Sequence, residues 1–105
     1  MSEVRLGKDV GQVLSELFAV LEGRRDQVEV AGESYTAQLL SGPEDRLLKK
    51  VGEEATEVVM AAKDGDADQL RYEIADLLYH VMVVMVRYGL TLDDIAGELE
   101  SRRKG

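Results

Sequence analysis

Apolar residues recur along most of this chain at the three-and-four spacing of a helix rather than the alternation of a strand. Val10, Val13, Leu14, Leu17 and Leu21 fall on one such face. Asp9 precedes them as an N-cap, and Gln12, three residues on, makes a capping box with it. The pattern predicts a first helix that stops near Gly23. From Arg24 to Glu33, charges, Gly32 and a short alternation at Val28 to Val30 predict a loop or irregular segment. Ser34 opens a short helix through Leu40, ended by Gly42. Pro43 suits the first turn of a third helix, which runs to Lys63 and stops at Gly65. Asp66 and Gln69 form another capping box and start a fourth helix that reaches Tyr88 and ends at Gly89. Thr91 with Asp94 caps a last helix toward Arg102. The expected fold is all-α, a single domain over residues 1–105.

The fourth helix changes the picture. From Ile74 to Val86 its only strongly polar residues are Asp76 and His80. Valine favours strands, but the length of the segment and its two caps decide for helix. A helix apolar all round must be covered all round. One chain of 105 residues has few other helices to do that. The expectation is a helical bundle completed by dimerisation, a homodimer or higher oligomer, with this helix near the interface. The same run is too short to cross a bilayer, which takes about 20 apolar residues. The segment from Met1 to Arg5 has no apolar run of a secretory signal behind it. A cytoplasmic location with no membrane partner is expected.

Composition narrows the chemistry. There is no cysteine, which removes disulfides, thiolate zinc sites and cysteine nucleophiles together. The 21 acidic and 13 basic side chains give a net charge of −8. Nucleic acid and anionic membranes call for basic patches, so neither is expected as a partner. The acidity leaves one question, whether some carboxylates hold cations.

Glu53, Glu54 and Glu57 form Glu-Glu-x-x-Glu on the third helix. Like charges three and four apart destabilise an isolated helix. Lys50 stands three before Glu53 and four before Glu54, placed to pair with them in part. Glu73 and Asp76 form Glu-x-x-Asp on the fourth helix, with His80 one turn further. Asp76 opens the most apolar segment, where an unpaired carboxylate is expensive. The short link at Asp64 and Gly65 favours antiparallel packing, which lets the two acidic groups face each other. Several hard oxygens and no thiol suit Mg²⁺, with Mn²⁺ as substitute. A di-iron carboxylate site wants Glu-x-x-His pairs that this chain lacks.

These residues sit in longer runs that resemble a known family. Tyr35-Thr36-Ala37-Gln38-Leu39-Leu40, Glu44-Asp45-Arg46, Lys49 through Glu57, and Glu73 through His80 are similar to phosphoribosyl-ATP pyrophosphatases. That family acts in histidine biosynthesis and belongs to the all-α MazG-like nucleotide pyrophosphohydrolases. The resemblance extends from about Val10 to Arg103. It implies hydrolysis of the small-molecule nucleotide phosphoribosyl-ATP between its α and β phosphates, Mg²⁺ dependence and a homodimer. Glu53, Glu54, Glu57, Glu73 and Asp76 become the expected metal set, with Glu54, Glu57 and Lys50 as catalytic residues. One glutamate acts as general base, and the sequence leaves open which. Lys50 is the first candidate for a phosphate contact, followed by Lys49, Arg46 and Arg102; its alternative is an intrahelical partner of Glu53 or Glu54. Tyr35 either stacks on adenine or packs. His80 is expected behind the ligands, since Mg²⁺ prefers oxygen to imidazole. The competing functions are a house-cleaning pyrophosphohydrolase for modified dNTPs and a non-catalytic helical dimerisation module.

Overall fold

A computed structural model of the chain describes residues 9–26 and 34–103. Five α-helices follow in order: α1 (Val10–Asp26), α2 (Tyr35–Ser41), α3 (Glu44–Asp64), α4 (Ala67–Arg87) and α5 (Leu92–Arg102). The described residues form no strand, as the helical periodicity requires. The expected alternation at Val28 to Val30 lies outside them. No single described helix is long and apolar enough to cross a membrane.

The helix ends show what local chemistry decides. Ser34 accepts from the Ala37 N–H at 2.9 Å and starts α2. Pro43 takes the N-cap position rather than the first turn, and α3 opens on Glu44 and Asp45 at the positive end of its dipole. Gly65, at φ 72°, ends α3 in the left-handed conformation that an L side chain resists. Gly89, at φ 79°, does the same after α4. Thr91 and Asp94 form the complete capping box expected for α5. The other two boxes are half made. Asp9 and Asp66 each accept the expected backbone N–H, from Gln12 at 3.2 Å and from Gln69 at 3.0 Å. The two glutamine side chains turn forward instead, to Glu16 and Glu73. A carboxylate four residues on is a stronger acceptor than a backbone N–H is a target. The first helix also outruns its expected stop at Gly23. Arg24 and Arg25 continue it to Asp26, cations that suit its negative end. Arg25 Nη1 fastens that end to the Val86 carbonyl at 3.2 Å.

α3 and α4 are the longest helices and make the largest contact, an antiparallel hairpin. α1 and α2 cover one side of α4. Phe18, Leu21, Leu39, Leu47, Val83 and Val86 are buried there. α5 bends away from α4 by 113° and buries none of its residues. On α3, Leu47, Glu54 and Ala61 are buried seven residues apart, a heptad seam facing α4. On α4, Glu73 and His80 occupy the matching line. Carboxylates therefore stand where a bundle ordinarily places leucine.

One chain leaves part of α4 uncovered, as expected from its few other helices. Its inner face is closed, but Ile74, Leu78 and Val81 remain exposed. A groove of about 450 Å³ runs along Ile74 and Leu78, lined also by Ala67, Leu70, Arg71 and Ala75.

Candidate functional site

The seam brings two acidic groups together. Ligand atoms of Glu54, Glu57 and Glu73 lie within 4.8 Å of one another, and so do those of Glu54, Asp76 and His80. Glu54 is common to both. It is 4% exposed and Glu73 5% exposed, so neither charge is well solvated. Glu54 Oε1 and Glu73 Oε1 are buried with no hydrogen-bond partner. A buried carboxylate oxygen without a donor is costly and points to a ligand.

The charges answer as expected. Burial pushes the Glu54 carboxyl above the ordinary carboxylate range, Asp76 adds to it, and Lys50 only partly reverses it. Lys50 Nζ lies 3.3 Å from Glu54 and 3.9 Å from Glu53. Its pKa is raised, mainly by the bond to Glu54. The Glu57 carboxyl is raised chiefly by Glu73, which it meets across the helix pair.

Behind Asp76 runs a fixed relay. His80 is 2% exposed. Its Nδ1 lies 2.8 Å from the Asp76 carbonyl oxygen, which only accepts, so Nδ1 carries the hydrogen. Nε2 is then the acceptor of the Tyr35 hydroxyl at 2.9 Å. Both ring nitrogens therefore have hydrogen-bond partners, Asp76 on one side and Tyr35 on the other. Tyr35 meets His80 edge to face, as does Tyr79, whose hydroxyl bonds Thr36. Burial of its hydroxyl end raises the Tyr35 pKa although the residue as a whole is 43% exposed. The Arg46 guanidinium lies 5.8 Å over the Tyr35 ring, held by Gln38 at 2.8 Å. Lys50, Arg46 and Tyr35 thus flank the carboxylates with two cations and an aromatic wall.

The phosphoribosyl-ATP pyrophosphohydrolase family model matches residues 14–103. The chain belongs to the phosphoribosyl-ATP pyrophosphohydrolase family. Among its relatives, the phosphoribosyl-ATP pyrophosphatase of Clostridium botulinum (strain Hall) is 49% identical over 92 residues, 88% of this chain and 82% of the relative. That of Haloarcula marismortui is 41% identical over 100 residues, 93% of this chain and the whole of the relative. The histidine biosynthesis bifunctional protein HisIE of Caldanaerobacter subterraneus is 45% identical over 93 residues, 89% of this chain but 44% of that longer protein.

In this family member the expected site residues do not all meet. Glu54, Glu57, Glu73 and Asp76 converge, with Lys50, Arg46 and Tyr35 at one end. Glu53 does not join either carboxylate group. It is one residue from Glu54, about 100° round the helix, and points to solvent beside Lys50. Lys49 is exposed and forms no ion pair among the described residues. Arg102 pairs with Glu98 at 3.0 Å on the outlying α5. One participant was missed. Gln69, read as a capping residue, donates its Nε2 to Glu73 Oε2 at 2.6 Å. The signal was its position four residues before Glu73 on the same face.

Proposed function

We propose that this chain hydrolyses phosphoribosyl-ATP at its α–β phosphoanhydride to phosphoribosyl-AMP and pyrophosphate, in histidine biosynthesis, with Mg²⁺ as cofactor. Family membership supports the hydrolase activity and its substrate. The observation that carries the cation is the pair of buried, unpartnered oxygens on Glu54 and Glu73. The donor set is all oxygen, which fits Mg²⁺, with Mn²⁺ as substitute. Glu54, Glu57, Glu73 and Asp76 would hold it. When bound, the ion supplies Lewis-acid polarisation and offsets the charge that a triphosphate brings to an acidic site.

The chain's own residues do the rest. Lys50 and Arg46 meet phosphate oxygens as cations. One glutamate of the set serves as general base rather than ligand, and Glu57, the exposed one whose carboxyl is raised by Glu73, is the candidate for that role. Lys50 offsets part of the rise that burial imposes on the Glu54 carboxyl. His80 and Tyr35 fix the backbone that carries Asp76.

The proposed working form is a cytoplasmic homodimer. The open apolar groove on α4 and the exposed Ile95 and Leu99 of α5 support it, being faces that a second copy would cover. Light scattering on a size-exclusion column tests this, and a stable monomer at low micromolar concentration rejects it.

Coupled pyrophosphate release from phosphoribosyl-ATP tests the reaction. Release in Mg²⁺ and none in EDTA is expected. Glu57→Gln should abolish release while leaving the helical circular dichroism intact. Faster turnover of dNTPs than of phosphoribosyl-ATP rejects the substrate.

A further inference from the structure

Gln69 occupies the third position of α4, where a glutamine side chain ordinarily turns back to the N-cap backbone. Here its backbone N–H keeps the Asp66 cap while its side chain reaches forward to Glu73 Oε2 at 2.6 Å. An ionised carboxylate only accepts, so the NH₂ end of the amide must face it. The bond engages one Glu73 oxygen. The other, Oε1, is buried and has no partner. Gln69 also lines a cleft of about 210 Å³ with Glu57, Met60, Ala61, Asp64 and Glu73.

We infer that Gln69 is a positioning residue whose amide fixes the Glu73 carboxylate with Oε1 turned into the space shared with Glu54 and Glu57. It does so as a neutral donor. A lysine or arginine in its place would also donate, but would neutralise Glu73 and compete with a cation. The inference rests on the cation reading of the site. Hydrogen-bond partners behind a metal's ligands set their orientation, and losing one typically costs about 10- to 100-fold in metal affinity or activity.

The experiment uses the full chain with Mn²⁺ as the probe, free ion read by electron paramagnetic resonance, beside thermal melts in EDTA. Gln69→Leu and Gln69→Met both remove the donor. Gln69 is exposed and both replacements are good helix formers, so one variant stands in if the other folds poorly. The expected result is Mn²⁺ affinity weakened by about tenfold or more with the EDTA melt little changed. Activity should return toward wild type when Mn²⁺ is raised to saturation. A lowered melt with wild-type Mn²⁺ affinity makes Gln69 merely structural and overturns the inference. Wild-type protein that takes up no Mn²⁺ overturns the cation reading and this inference with it.

Discussion

Glu73→Gln should stabilise the metal-free protein and weaken its response to Mg²⁺. Glu54 and Glu73 are almost fully buried, and their ligand oxygens lie within 4.8 Å. At an effective dielectric constant of about 20, two such charges at that separation repel by about 3.5 kcal/mol. Lys50 offsets part of the negative charge, but through Glu54, so it stays in place when Glu73 is neutralised. The glutamine is isosteric. It can still accept from Gln69, and its new NH₂ can donate to the facing carboxylates. A net gain of about 1–3 kcal/mol in EDTA follows, or about 4 °C or more in Tm for a domain this size. In Mg²⁺ the order should close or invert. A ligand at a hundred times its Kd adds about 2.7 kcal/mol to the wild type, and the variant has lost one of its ligands. The assay is circular-dichroism melting at fixed protein concentration, with EDTA and with Mg²⁺. A variant less stable than wild type in EDTA, or one that gains as much from Mg²⁺, refutes the reasoning.

Two further outcomes follow from the same geometry. The Glu54 and Glu57 carboxyls are raised above their ordinary value of 4.5, so the folded state holds protons that the unfolded state releases. Their contribution to metal-free stability is complete below that value and is lost as pH rises through the folded-state range. Melts in EDTA should therefore fall with rising pH more steeply for wild type than for Glu54→Gln, and equal slopes would count against it. Leu47 is fully buried, and Leu47→Ala should cost about 2–5 kcal/mol in urea unfolding, with a smaller loss pointing to collapse of the cavity.

Much of the fold was legible because its signals are local. Caps at Ser34, Asp66 and Thr91 and the left-handed glycines at 65 and 89 act within one turn of chain, so the helix ends are found to within a few residues. The exception, α1 past Gly23, is settled partly by Arg25 reaching Val86, a contact far away in sequence. The acidic cluster was legible too, since like charges one turn apart, with Asp76 opening an apolar run, are costly without a purpose.

The sequence by itself determined an all-α chain with two facing carboxylate motifs and a histidine behind them. Only the tertiary structure chose among chemically equal residues. Glu53 and Glu54 are adjacent and identical, yet the seam of Leu47 and Ala61 faces α4, so Glu54 enters the site and Glu53 does not. Arg102 and Arg46 are both arginines, yet only Arg46 stands over Tyr35. Gln69 could satisfy its cap or Glu73, and the demand of a buried carboxylate decided it. The physical reason is the same in each case. A side chain's type sets what it can bond, but its angle round the helix and the facing element set what it meets.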